Sequence, residues 1–485
     1  MTELLEVQRT ALNTALGKSG FAYYMEMGLG KTLTVLTEFM HLVSIGKVSR
    51  MVVVCPNSFK QGWQEEIKKH GIDVESFIFE SGEDSMHQWF LRRNFDKPPV
   101  LIINYEAIRK PQAQATILKF VGQRDAMIVF DESIQLKTYN SQQTKAALSI
   151  APAFKVRRIL SGKPITQGPH DLWAQMRAIG ALNGKPYFPF KTTFCKMGGF
   201  KGKKVVGTQN EEILAPQIDP YIFRATKAQW TDLPPKMYTT RQYRLTPELL
   251  NLYKSMEEEF VVWLSGSEYV AASAFVTKYI KLAQIQSGFI IDEHGKVNSL
   301  VEPDQNPRFL LLREIVEEVV GKIIIPYHHR HTLSILQGVF ADYGSAYIRG
   351  NMSDAEIGAQ KRAFNEDPKC RLIFLQIQAG RYGHTLLGGP EPEHRCSTMI
   401  FAENSYSLDD RSQIEDRMHR HGQTADSCLY VDLWGTKLDK EVTMALQRKE
   451  SIFQAVFKHI GRPNSILANP RNVPQGPVQD RHDPS

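Results

Sequence analysis

Short apolar runs separated by longer amphipathic stretches set the pattern of this chain. Met51–Cys55, Val100–Asn104 and Met127–Phe130 are apolar at nearly every position, and Phe21–Tyr24 and Ile159–Leu160 extend the series. A strand that is apolar on both faces belongs in a sheet covered by helices on each side. Leu33–Ile45 and Gly62–His70 read as helices between these strands, so the alternation predicts an α/β unit reaching to about Leu182. The alternation returns after Pro234–Pro235. Strands are expected at Lys322–Ile325, Ser345–Ile348, Arg371–Leu375, Ser397–Ala402 and Ser427–Leu433. Helices are expected at Leu249–Leu264, Ala271–Gln286, Phe309–Val320, His331–Phe340, Ala355–Asn365, Asp409–Arg420 and Lys440–Phe457. Residues 183–232 carry several glycines and prolines and the basic run Phe200–Lys204, and read as an insertion rather than a regular sheet. The expected division is residues 1–233, residues 234–460, and a disordered tail over 461–485, where prolines recur among Asn, Arg and Gln.

Composition narrows the class. With 485 residues the chain is long enough for two or three domains, and 42% hydrophobic with 23% charged residues is ordinary for a globular protein. A formal net charge of +7 suits a polyanionic partner without demanding one. The five cysteines are scattered and form no CxxC pair, which argues against a structural zinc site and for reduced thiols in a cytoplasmic compartment. No apolar run approaches the roughly 20 residues that span a bilayer, and the N-terminus has no signal-peptide pattern, so a membrane role is not expected.

Two motifs carry chemistry. Gly28-Leu29-Gly30-Lys31-Thr32 lies between a predicted strand and a predicted helix. Backbone N–H groups in such a glycine-rich turn, at a helix N-terminus, can surround phosphates. Lys31 would reach the β and γ phosphates, and the Thr32 hydroxyl would complete the shell of a magnesium ion. Met25 stands where the strict motif has glycine. Asp131-Glu132 follows the apolar strand Met127–Phe130, about 100 residues later and within the same unit. There Asp131 would hold the magnesium ion and Glu132 would orient the attacking water. Together the motifs predict an ATP hydrolase with ATP and Mg2+ as its ligands.

The run of motifs resembles the helicase-like ATPases of superfamily 2, and within them the Swi/Snf-related DNA translocases. The segments that carry the resemblance, in family order, are MEMGLGKT (Met25–Thr32), VVVCPNSFKQGW (Val52–Trp63), LIINYEAIR (Leu101–Arg109), FDESI (Phe130–Ile134) and LSGKPI (Leu160–Ile165), followed in the second half by KIIIPYHHRHTLSIL, LIFLQIQAGRYGHTL (Leu372–Leu386) and QIEDRMHRHGQT (Gln413–Thr424). They extend over nearly the whole chain. Departures also stand out: Lys163 for a threonine, Ile134 for a histidine, Arg381-Tyr382 for small residues, an inserted Gly388–Cys396, and Ser405–Asp410 in place of a Trp-Asn-Pro turn.

The resemblance implies two RecA-like P-loop domains with parallel sheets flanked by helices and an ATP cleft between them. It implies that Gln8 reads the adenine and that Arg417 and Arg420, expected three apart on one helix face, are finger residues acting on the γ-phosphate. It places Lys60, Arg109, Lys137 and Arg381 along a nucleic-acid backbone, with Lys68 and Lys69 as further basic candidates. Lys196, Lys201, Lys203 and Lys204 of the insertion could touch a duplex or a partner. The implied activity is ATP-driven translocation on double-stranded DNA, with a DNA-bound protein as a possible target, by a monomer acting in the cytoplasm of a bacterium or a virus-infected host cell. A strand-separating helicase or restriction-type motor, and an inactive DNA-binding scaffold, are the alternatives.

Overall fold

The structure is a computed structural model that describes residues 3–80, 91, 94–198, 204–230, 233–264, 280–379, 385–405, 407–420 and 422–459. Arg381, Lys201, Lys203, the expected tail and most of the expected helix Ala271–Gln286 lie outside the described residues. The chain divides into two compact units, Met1–Thr231 with Ser451–Ser485, and Asp232–Glu450.

The first unit is built on strands β1 (Gly20–Met25), β2 (Arg50–Cys55), β3 (Glu75–Ile78), β4 (Pro99–Asn104), β5 (Ala126–Phe130), β6 (Val156–Leu160) and β9 (Ile222–Ala225), with a separate hairpin β7 (Cys195–Gly198) and β8 (Lys204–Thr208). The seven-stranded sheet runs β3-β4-β2-β5-β6-β1-β9, and every pair in it is parallel. Alternate residues of each strand feed two different cores, as the two-residue period of a strand requires. Ala22, Tyr24, Val52, Val54, Ile128 and Phe130 pack against the helices Pro111–Val121, Gln142–Ile150 and Leu172–Ala178. Phe21, Tyr23, Met51, Val53, Met127 and Val129 pack on the other face against α1 (Glu6–Ala15), α2 (Lys31–Ser44) and α3 (Lys60–Lys69).

The second unit repeats the plan with β10 (Lys236–Gln242), β13 (Lys322–Tyr327), β14 (Gly344–Ile348), β15 (Cys370–Gln376), β16 (Cys396–Phe401) and β17 (Cys428–Trp434), beside a small hairpin β11 (Phe289–Ile291) and β12 (Val297–Ser299). Its sheet order is β10-β17-β16-β13-β15-β14, again parallel throughout. Ile323, Ile325 and Phe374 face the helices Pro307–Glu318 and Arg330–Val339, while Ile324, Ile373 and Leu375 face Asp354–Glu366.

Two expectations are corrected. The stretch 183–232 is not merely an irregular insertion. It forms helices Tyr187–Phe194 and Glu211–Ile218, the β7–β8 hairpin, and β9, which joins the main sheet beside β1. Pro220 and the polar flanks hide a strand of four residues from a reading based on apolar runs. The helix expected to reach Arg420 ends at Glu415, where three-residue turns take over, with the Arg417 N–H bonded to the Ile414 carbonyl at 2.9 Å. Three side chains converge on Glu415: Lys236 at 3.0 Å, Tyr238 at 2.8 Å and Arg411 at 2.7 Å. They anchor the last helical residue to β10 and to the helix interior.

Candidate nucleotide site

In a parallel sheet all strands end on one side, and ligands gather outside those carboxyl ends. β1 ends at Met25 and leads into the glycine loop; β5 ends at Phe130 and leads into Asp131; β6, which lies between them in the sheet, ends at Leu160 and leads into Ser161-Gly162. Three motifs far apart in sequence therefore meet at one edge of the first unit.

The loop turns on Gly28 and Gly30, both in the left-handed region at φ +88° and +76°. Gly30 is also the residue before α2, and a Cβ there would lie 1.8 Å from Gln8 Nε2. No other residue fits both the dihedral and the space. Gln8 is buried, accepts the Leu5 N–H at 2.8 Å, and directs its Nε2 to the Leu29 and Gly30 carbonyls at 3.4 Å each. In this structure it braces the loop. Leu29 is itself buried in the core below. Lys31 Nζ donates to the Met25 carbonyl at 2.9 Å, lying across the loop, and Thr32 is half-buried in the first turn of α2. The loop is tied to β9 as well: the Glu26 N–H reaches the Ala225 carbonyl at 3.0 Å, and Glu26 Oε2 accepts the Lys227 N–H at 2.8 Å.

Asp131 and Glu132 are both buried. Asp131 Oδ2 accepts the Trp63 indole N–H and Oδ1 accepts the Glu132 N–H, each at 2.9 Å. A carboxylate has about four acceptor sites, so each oxygen keeps capacity for a cation. Burial raises the Asp131 pKa; the Trp63 bond and the Lys31 charge oppose that rise. Glu132 holds φ +47°, a left-handed conformation that a non-glycine residue adopts at a cost. The Tyr105 hydroxyl, bonded to the Asp131 carbonyl at 2.8 Å, fixes the same turn from below. A glycine-built phosphate cradle beside a buried carboxylate, Asp131, whose oxygens keep acceptor capacity fits a magnesium-bound nucleoside triphosphate.

Beneath the loop, α2 is locked to the sheet by a buried ion pair that no local motif signals. Arg158 on β6 meets Glu38 on α2 at 2.5 Å, and the Tyr23 hydroxyl on β1 donates to Glu38 at 2.8 Å. Gln175 is a second unsignalled group; it contacts Ser133 of the acid turn at 2.7 Å.

In the second unit, Arg417 is fully buried and its carbonyl accepts the Leu386 N–H at 3.1 Å. Arg420 is half-buried and donates to Thr385 Oγ1 at 2.8 Å; burial lowers its pKa. The preceding helix is held by Arg411, which pairs with Asp432 at 2.6 Å and with Glu415 at 2.7 Å and lies 3.4 Å from the Phe401 ring centroid. The unusual segment Ser405–Asp410 supplies that helix's cap, with Ser407 Oγ accepting the Asp410 N–H at 3.2 Å. Elsewhere in the unit Glu403 accepts from His328 N, His329 N, Ser287 Oγ and Thr332 Oγ1 at 2.6 to 2.9 Å, uniting three segments on one buried carboxylate.

The candidate nucleic-acid residues have different settings. Lys60 is buried, its side chain 8% exposed, and paired with Glu80 at 2.8 Å, so a phosphate contact would first have to break that pair. Arg109 is exposed, 3.9 Å from Glu106. Lys137 is half-buried with its Nζ 3.4 Å from Thr166 Oγ1. Lys196 is exposed on β7. Among the described residues no helix is long and apolar enough to cross a membrane, and no cluster of three metal-ligating side chains occurs.

The SNF2-related domain matches residues 22–290. The mouse DNA annealing helicase and endonuclease ZRANB3 is 22% identical over 479 residues, spanning 96% of this chain and 42% of its own. A Caenorhabditis elegans homolog of the SWI/SNF-related matrix-associated actin-dependent regulator of chromatin subfamily A-like protein 1 is 26% identical over 404 residues, spanning 82% and 54%. The chain thus spans about half the length, or less, of these relatives. The SWI2/SNF2 ATPase core of Sulfolobus solfataricus in complex with dsDNA aligns over 95% of this chain and 94% of its own, at 22% identity and a TM-score of 0.42. Since the matched domain covers more than half of the 485 residues, from β1 through the acid pair and beyond, the chain belongs to the SNF2-related family: it is an ATP hydrolase of helicase superfamily 2, with two parallel α/β units.

Proposed function

We propose that this protein is an ATP-dependent translocase on double-stranded DNA, moving along the duplex or remodelling DNA-bound protein. The observation that carries the reading is the meeting of the Gly28–Thr32 cradle with the buried Asp131–Glu132 pair at one sheet edge. ATP would lie on the cradle with its phosphates against the loop N–H groups and Lys31. Asp131 and Thr32 would hold the magnesium ion, which withdraws charge from the phosphate oxygens when bound. Glu132 would orient the attacking water, and Gln8 would set the loop that meets the base. Arg417 and Arg420 of the second unit would act as finger residues, stabilising charge that develops only in the transition state. Lys137, Arg109 and Arg381 would bear on the DNA backbone, contacts that position without reading sequence. The DNA in the names of the similar proteins supports the choice of polymer.

The test is ATP turnover measured with no nucleic acid, duplex DNA, single-stranded DNA and RNA, together with release of a labelled strand from a duplex. Stimulation by duplex DNA without strand release is expected. Stimulation with strand release would make the protein an unwinding helicase instead. A flat trace in all four conditions would reduce it to a DNA-binding scaffold.

A further inference from the structure

Gln175 lies in the helix Leu172–Ala178, outside every motif, and is fully buried. A primary amide has two acceptor sites on its oxygen and two N–H donors. All four are used here. Oε1 accepts from Ser133 Oγ at 2.7 Å and from the Tyr24 hydroxyl at 3.4 Å; Nε2 donates to the Pro164 carbonyl at 2.7 Å and to the Asp171 carbonyl at 2.8 Å. Each partner leads to a different part of the site. Tyr24 is the next-to-last residue of β1, before the phosphate loop. Ser133 follows Glu132 directly and is itself fully buried. Pro164 belongs to the segment after β6. Asp171 carries the connection further, because its Oδ2 accepts the Thr166 and Gln167 N–H groups at 2.7 Å each, and Thr166 Oγ1 is the partner of Lys137.

We propose that Gln175 is a positioning residue for ATP hydrolysis: its side-chain amide, bonded at once to Ser133, Tyr24, Pro164 and Asp171, holds the Glu132 turn in its hydrolytic geometry and ties it to the Pro164–Asp171 segment, whose Thr166 hydroxyl meets Lys137. The polarity of the amide is what matters. The acceptor end must face two hydroxyls and the donor end two carbonyls, so neither an apolar side chain nor a carboxylate can replace it. Glu132 sits in a left-handed conformation and persists only if its neighbours hold it there. On its C-terminal side the turn is held by the Gln135 N–H, bonded to the Glu132 carbonyl at 3.0 Å, and by the Ser133–Gln175 bond that fixes the next side chain. Loss of that bond should let the turn relax, moving the carboxylate while the phosphate loop keeps its own bracing by Gln8 and Leu29.

The inference rests on the assignment of Glu132 to hydrolysis, and the experiment separates the two. Gln175→Met, Ser133→Ala, the double variant and Lys31→Ala are compared on the full chain for nucleotide affinity, kcat with and without duplex DNA, and thermal melting. The expected result for Gln175→Met and Ser133→Ala is a fall in kcat of about tenfold or more with nucleotide affinity within about twofold of the parent. The double variant should lose no more than Gln175→Met alone, because both remove the same bond. An unchanged kcat in Ser133→Ala overturns the proposal even if Gln175→Met does not fold. A lowered melt with activity lost only in proportion to the folded fraction also overturns it, leaving a structural amide. If Lys31→Ala keeps its turnover, the assignment of the nucleotide site fails, whatever the Gln175 variants do.

Discussion

Glu132 joins an unfavourable backbone conformation to the position where a hydrolytic carboxylate is needed. Such strain is typical of groups held for chemistry rather than for packing. Glu132→Gln keeps size and polarity but not the charge that polarises water. The variant is expected to bind ATP close to normally and to turn it over at least about a hundredfold more slowly; a direct binding titration beside a turnover assay checks both halves. Arg420 offers a comparable test in the second unit. Lysine in its place keeps the charge and loses the planar fork that can span two phosphate oxygens. Turnover should fall by about three orders of magnitude with the melt unchanged. A lowered melt with a proportionate loss of activity would mean that its bond to Thr385 serves only the fold. At this scale the sequence shows residues whose role is written into local spacing, such as Lys31 in its glycine loop. It does not show Gln175, whose partner Ser133 is 42 residues away and whose type carries no signal until the helix and the acid turn are adjacent.

At the scale of elements, the doubly apolar strands were legible because both faces are buried. The strands that escaped notice are marginal in burial. β3 is half-buried along its length and β10 is mostly exposed, so neither shows an apolar run. The buried pair Glu38–Arg158 was equally hidden, with 120 residues between its members. Removing one member strands the other charge in the core. Glu38→Ala should therefore cost about 3–5 kcal/mol in unfolding free energy of the first unit, measured by denaturant titration. Replacing both residues with apolar ones of similar volume should cost much less. Glu415 gives a pH signature in the second unit. Burial alone would raise its pKa, but Lys236 and Arg411 overcome this and hold it at about 2. A carboxylate depressed in the folded state stabilises fully above its unfolded pKa, near 4.5, and loses that contribution as pH falls through its folded value. The stability gap between the parent and Glu415→Gln should thus be complete at pH 6 and shrink between about pH 4.5 and pH 2. A gap constant over that range would show that Glu415 does not titrate with the fold.

For the whole molecule, the two-unit α/β plan was legible from alternation alone, whereas the reading of 183–232 as an insertion missed the strand that completes the first sheet. The proposed DNA contacts are ionic, so binding should be strongly salt-dependent. If Arg109, Lys137 and Arg381 each displace one counterion, affinity should drop about 40-fold between 50 and 200 mM monovalent salt. Fluorescence anisotropy on a labelled duplex across that range measures the slope. A flat response would point to base stacking or to a protein partner in place of the phosphate backbone.

The pairing of β9 with β1 also governs when this fold can appear during synthesis. β1 is made early, but its two sheet neighbours are β6, more than 130 residues later, and β9, about 200 residues later. Contacts of such long range are slow to form. A nascent chain that stops short of Ala225 therefore carries the apolar strand Gly20–Met25 with one edge open, a template for pairing with another chain. Fragments cut between Leu160 and Ile222 should aggregate where those extending past Trp230 stay dispersed, and only the latter present the cradle with Glu26 anchored on Ala225 and Lys227.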